Sequence, residues 1–176
     1  IAERKAVEDA YNASEIRYRE LFDNLTDAVF VHTLENGEAS RMLEVNNAAV
    51  TLLGYSREEL LSMPPWTVVK KDNHAIIPVL KQELAQKGHR FYESTLVDRD
   101  GKEIPVEVTS YSFELNGRPV CLSSARDISE RKEAERNIRE SESRYRLLTE
   151  NAPVGIVSID VTGTLVDINK KLIDIL

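Results

Sequence analysis

Very little in this sequence is able to form a disulfide, cross a bilayer or hold a polyanion. Cys121 is the only cysteine in 176 residues. No internal disulfide can form, so packing must hold the fold, as suits a reducing, cytoplasmic compartment. No apolar run approaches the ~20 residues that a membrane-spanning helix needs, and the residues from Ile1 onward carry no signal-peptide pattern. A basic excess is missing too: the formal charge is −7 and the lysines and arginines are scattered among acids. A nucleic-acid partner, which needs clustered cations to displace counterions, is therefore not expected. There is no P-loop, no Ser-His-Asp or Cys-His set and no paired carboxylates in a recognisable frame, so no catalysis is expected of these residues. None of the three histidines has metal-ligand spacing. What is present is a chain with 41% apolar residues, enough for a real core in one domain or two small ones. It has no initiator methionine and stops in mid-pattern at Leu176, which suggests a piece of something longer.

The sequence contains its own repeat. Aligning Ile1 with Ile128 and Asn24 with Asn151, an offset of 127, matches half of 24 positions, among them Arg4, Lys5, Tyr18, Arg19 and Leu21 with Arg131, Lys132, Tyr145, Arg146 and Leu148. Leu43 to Asn46 then meets Val166 to Asn169 at an offset of 123, so the first copy carries four extra residues, expected in a loop. Both repeated segments read as helices with a heptad stripe. Val7, Tyr11, Ser14, Tyr18, Leu21 and Leu25 recur at spacings of 4 and 3, as do Ala134, Ile138, Ser141, Tyr145 and Leu148. The stripes suit a homodimer seam through Val7, Tyr11, Tyr18, Leu21, Ile138, Tyr145 and Leu148. A helix packing only on its own domain would show the same spacing.

Between the two helices, Asp27 to Thr33 and Arg41 to Val45 read as strands joined by a turn at Asn36-Gly37. Asn46 is suited to cap a helix ending at Gly54, and Ser56 to Glu59 form a capping-box sequence ahead of Pro64-Pro65. A longer helix follows, from about Asn73 to Lys87; Pro78 is tolerable only in its first turn, so it begins later than Asp72. From His89 the period becomes two. Phe91 to Val97, Glu103 to Leu115 and Arg118 to Asp127 are strands divided by turns at Asp98 to Gly101 and Asn116-Gly117. The fold expected is α+β, a five-stranded antiparallel sheet with helices on one face and long linker helices on either side.

This order, with Gly54-Tyr55-Ser56, Glu58-Glu59-Leu60, the Asp100-Gly101 turn and the closing Arg126 to Lys132, resembles a PAS domain with its C-terminal PAC motif. The second copy's Glu150 to Ile156 looks like the start of another. The organisation expected is the tail of a preceding module with linker helix over 1–13, a complete PAS/PAC domain over 14–128, a linker helix over 129–150 and the beginning of a second PAS domain over 151–176. The resemblance implies sensing or relay of a signal to an output domain elsewhere in the parent chain, a histidine kinase above all. It implies as partners the adjacent PAS and output domains, with no membrane contact by this segment. A pure dimerisation module and a haem or flavin sensor are the alternatives.

Strand alternation nominates a cavity lining of Phe30, His32, Leu43, Val45, Val106, Val108 and Ser110, with Leu80 or Leu84 from the long helix; the apolar members serve equally as plain core. His32 shares a face with Ala28 and Phe30, where the second copy has Ile159; at a strand end it is as readily exposed. The last strand is ambiguous, since Cys121-Ser123-Ala125 and Val120-Leu122-Ser124 are similarly mixed. No cofactor is expected. His74 lies too early for the axial haem ligand of related domains, His89 sits at a loop junction, and Cys121 is not in the helical segment where flavin-binding relatives keep theirs. An unidentified small molecule and a filled core fit the lining equally. Signal transfer is assigned to Asp127, Ser129 and Glu130: Asp127 or Ser129 caps the outgoing helix, and Glu130 completes a capping box with Asp127.

Overall fold

The Asn116-Gly117 turn and a run of β-branched residues set the sheet, while the turn expected at Asn36-Gly37 lies partly outside the described residues. The computed structural model describes residues 2–36 and 38–175, with side chains at positions 2, 3, 38, 76, 80 and 81 excepted. The strands are β1 (Ala28–Glu35), β2 (Glu38–Val45), β3 (His89–Val97), β4 (Glu103–Leu115) and β5 (Arg118–Asp127), antiparallel in the order β2-β1-β5-β4-β3. At the β4–β5 hairpin Asn116 and Gly117 have φ of 51° and 75°, and Leu115 pairs with Arg118. Both central residues are left-handed, so the turn twist matches that of the strands.

The helices α2 (Asn47–Leu53), α3 (Arg57–Ser62) and α4 (Ile77–Lys87) lie between β2 and β3 in sequence, with 3₁₀ turns at Pro65–Val68 and Lys71–Ile76. Pro78 is the second residue of α4, where its missing N–H leaves no helical bond unmade. Ser56 accepts from the Glu59 amide while Glu59 returns a bond to the Ser56 amide, the reciprocal capping box that the sequence predicts. Gly54 closes α2 at φ 70°, a conformation that favours glycine. Together they bury Ala49, Leu53 and Leu60 against Ala28, Phe30, Val45, Val106 and Val108 of the sheet.

The opposite sheet face has a smaller cluster. Phe22, at the end of α1 (Ala2–Asp23), packs with Val29 and Val31, joined by Leu43 and Leu122. Leu43 was expected on the cavity face. β2 pairs Val31 with Glu44 but His32 with Met42, so an irregularity there inserts one residue and reverses the phase. Leu43 therefore turns outward and Met42 inward.

Asn46 does more than cap. Its Oδ1 accepts from the amides of Val29 (2.9 Å) and Ala49 (3.0 Å), and its Nδ2 donates to the Asp27 carbonyl (2.9 Å), with no solvent exposure. One side chain thus ties the first strand to the first helix. In the second copy, β6 (Val157–Ile159), β7 (Leu165–Ile168) and α6 (Lys170–Ile175) repeat the device. Asn169 Oδ1 accepts from Ile156 and Leu172, and Nδ2 donates to Val154 and Thr149 carbonyls. Ile156 and Val154 stand 127 residues after Val29 and Asp27, and Leu172 stands 123 after Ala49, the offsets of the sequence repeat.

The chain divides into two compact units, Ile1–Ser129 and Glu130–Leu176. The second holds most of α5 (Ser129–Glu150) and the hairpin, on which Val157, Ile159, Leu165 and Val166 are exposed, since a two-stranded sheet has little apolar surface of its own to cover them.

Candidate functional site

Where the inward face of the sheet is not filled by α2 and α3, a cavity of about 330 Å³ remains. Phe30 and His32 of β1, Met42 of β2, Tyr92, Ser94 and Leu96 of β3, Val108 and Ser110 of β4, and Cys121, Ser123 and Ala125 of β5 form the sheet wall. Pro65, Trp66, Val69, Asn73, Ile77 and Leu84 form the other. Of the sequence-predicted lining, Phe30, His32, Leu84, Val108 and Ser110 are in place. Val45 and Val106 face the same way but are wholly buried in the neighbouring core, where α2 and α3 cover them. Leu43 is on the far face, as described, and the Leu80 side chain lies outside the described residues. The register settles the last strand: Ser123 pairs with Phe30 and with Ser110, and Cys121 with His32, which puts Cys121, Ser123 and Ala125 inward. Trp66, Met42 and Tyr92 escaped alternation reasoning, the first because it lies in a 3₁₀ turn without period, the second because of the bulge. The third follows from the period of β3 itself.

Polar groups gather at one corner. Ser110 and Ser123 hydroxyls are 2.8 Å apart, and Cys121 Sγ is 3.7 Å from Ser123 Oγ. Burial depresses the His32 pKa and raises those of Cys121 and Tyr92, in each case as the largest cause. All three are consequently neutral near pH 7. His32 Nδ1 lies 3.4 Å from the Thr33 carbonyl, a weak bond that opposes the burial effect only in part. His74 bonds the Val69 carbonyl at 3.2 Å through Nε2 and does not line the cavity; His89 is exposed.

The His32 environment has a pH consequence. A neutral buried imidazole means that the unfolded chain takes up protons before the folded one, so stability is full above the ordinary histidine pKa of 6.5 and falls as pH drops below it. His32→Leu is expected to remove that acid-side slope. Urea unfolding between pH 7 and pH 5 checks it; identical slopes in both proteins would contradict a buried neutral His32.

At the exit of the sheet, Asp127 Oδ1 accepts from the Ser129 amide at 2.7 Å. Ser129 is the first residue of α5, so the flanking position belongs to Ile128 and Asp127 makes an Asx-type turn two residues on, not the capping box with Glu130 that the sequence suggests. Ile128 is buried and its amide donates to the Pro105 carbonyl. Sequence reasoning also missed a clamp beside it. Arg126 Nε and Nη2 reach Asp27 Oδ1 and Oδ2 at 3.1 and 2.9 Å, linking the end of β5 to the residue before β1. Arg57 likewise joins Asp23 at the end of α1 (2.7 Å) to the Val45 carbonyl (2.6 Å).

The heptad positions Val7, Tyr11, Leu21, Ile138 and Leu148 are all more than 60% exposed. The tyrosines are engaged with their own hairpins. Tyr18 stacks on Phe22 and donates to Glu44 at 2.6 Å, its pKa pushed up to about 12 by burial first and by Glu44 second. Tyr145 meets Ser158 at 3.1 Å, and Ser158 pairs with Asp167 as Val31 pairs with Glu44. Among the described residues no helix is long and apolar enough to cross a membrane, and no group of three or more His, Cys, Asp and Glu residues suits a metal ion.

Comparison with known proteins agrees with this geometry. A PAS domain profile matches residues 26–130, and a second PAS domain profile matches residues 143–176. The chain is 33% identical over 140 residues to a methyl sulfide methyltransferase-associated sensor of Methanosarcina acetivorans, covering 80% of this chain and 14% of that protein. It is 26% identical over 169 residues to sporulation kinase E of Bacillus subtilis, covering 96% of this chain and 22% of that protein. It thus spans a small part of either relative. Among solved structures, the PAS domain of an HTR-like protein from Haloarcula marismortui superposes with a TM-score of 0.62 at 26% identity, covering 70% of this chain and 99% of that one.

Proposed function

This chain belongs to the PAS domain family, and on that premise we propose that its first copy is a sensory module. A small molecule held in the cavity changes the sheet, and the change passes through β5 and α5 to an output domain of the parent protein, a histidine kinase, with pairs of chains joined along their linker helices. One observation carries the reading: β5 supplies Cys121, Ser123 and Ala125 to the cavity and, two residues after Ala125, the carboxylate that holds the first amide of α5. Occupancy and helix entry share one strand. The resemblance to sporulation kinase E supports a kinase as the output. The exposed seam on α1 and α5 supports a homodimer through Val7, Tyr11, Leu21, Ile138 and Leu148, with Tyr18 and Tyr145 closing the edge of each hairpin.

Signal transfer is assigned to Asp127 and Ser129, with Glu130 beginning the helix that carries it, and the Asp27–Arg126 fork keeps this exit in register with the entry to β1. An exposed ion pair contributes at most about 1 kcal/mol. Arg126→Ala is thus expected to leave stability nearly unchanged while speeding hydrogen exchange at the Ser129 amide. Ser123→Leu, which partly fills the cavity from β5, is expected to change exchange at the same amide. Unaltered exchange there in both variants would separate the cavity from the helix and refute the relay.

A further inference from the structure

The reading of the cavity as a ligand site leaves the chemistry of its occupant open, and the lining restricts it. We infer that the cavity takes an uncharged molecule with an apolar body and one hydroxyl or N–H end, seated at the Ser110–Ser123 corner. This rests on the cavity being a ligand site and adds the class of ligand.

Volume comes first. A cavity of about 330 Å³ falls at the small end of the range of small-molecule sites, roughly 300–1,000 Å³. Phe30, Met42, Val69, Leu96 and Val108 give it apolar walls. No Asp, Glu, Lys or Arg is among the described lining residues, and the titratable members, His32, Tyr92 and Cys121, are each shifted by burial toward the neutral form. A carboxylate or ammonium would lose its hydration with no opposite charge to meet, which proteins rarely tolerate.

Hydroxyl valence then places the polar end. Each serine has one donor and two acceptor sites. The Ser110–Ser123 bond uses one hydrogen and one lone pair, the thiol of Cys121 at 3.7 Å is a weak partner for the second hydrogen, and the Tyr92 hydroxyl is a further hydrogen-bonding neighbour of Ser110. Ser110, Ser123 and Tyr92 together therefore offer both lone pairs and hydroxyl donors to a molecule that both donates and accepts. Asn73 Nδ2 donates to Ser94 Oγ at 3.1 Å, a second uncharged polar spot in the lining.

A competing anchor stands just behind this corner. Arg90 is buried, its guanidinium 4.9 Å from the centroid of Tyr92 and its Nε 3.5 Å from Glu83 Oε2, and Nε and Nη1 have no hydrogen-bond partner among the described residues. Arg90 does not line the cavity; Tyr92 does.

The two outcomes separate cleanly because Trp66, the only tryptophan, lines the cavity and reports on its contents. The whole chain is titrated with cyclohexylmethanol and with cyclohexanecarboxylate at pH 7, following Trp66 emission and thermal unfolding. The alcohol is expected to bind at least tenfold more tightly, and Ser110→Ala with Ser123→Ala to weaken it by roughly fivefold, the effect of one neutral hydrogen bond. Carboxylate binding equal to or tighter than that of the alcohol, lost in Arg90→Met, would overturn the neutral-ligand inference and leave the cavity as a ligand site for anions. Absence of any response to either molecule would count against the ligand site itself, and with it the inference.

Discussion

Replacing Asn46 by alanine is expected to destabilise the first unit by about 2–6 kcal/mol, because two buried amides, those of Val29 and Ala49, lose their acceptor and each unsatisfied group costs about 1–3 kcal/mol. Domains of this kind have a total stability of only about 5–15 kcal/mol. The variant would thus sit near its unfolding threshold. Asn169→Ala removes the equivalent staple from the second copy and serves as the internal comparison: it should leave the main unfolding transition of the first unit in place. Urea denaturation of both variants decides the matter, and a loss below about 1 kcal/mol for Asn46→Ala would mean that water replaces the side chain.

A lysine at Ile138 is expected to convert a dimer to a monomer at micromolar concentration. Ile138 is 61% exposed on α5 and lies on the stripe with Leu148, so in a dimer its replacement would bury an unpaired ammonium in the seam. The same change on an isolated helix face is nearly neutral, since surface substitutions are usually within about 0.5 kcal/mol. Sedimentation therefore distinguishes the two situations. A parent protein and variant that sediment alike would place the interface elsewhere.

The strands, the Asn116-Gly117 turn and the capping box of the helical group were legible because each depends on neighbours in sequence. Asn116-Gly117, Ser56 with Glu59, and Gly54 all adopt the conformation that their residue types favour. The cavity was legible only where the alternation is unbroken, as at Val108 and Ser110 along β4. The bulge in β2 hid the exchange of Leu43 for Met42, since nothing in that segment marks where the extra residue falls. Val45 and Val106 show a different limit: alternation says which way a side chain points, not whether a helix or a void lies above it. The repeat told most about function and least about detail. It located Asn46 and Asn169 as equivalent, but the bonds they share are long-range and appear only when Val29 and Ile156 are brought beside them. Clamps such as Asp27–Arg126, whose partners stand 99 positions apart in sequence, leave no local signal at all.

The proposed relay starts from a small molecule held in the cavity of the first PAS domain. Native mass spectrometry of the freshly purified 176-residue chain tests it most directly, because bound mass and oligomeric state are read together. The expected species is a dimer in which each chain carries a non-covalent, uncharged adduct that is lost on gentle activation and is reduced in the Ser110→Ala, Ser123→Ala variant. Bare chain mass in the parent protein, with no adduct gained on adding cyclohexylmethanol, would contradict it.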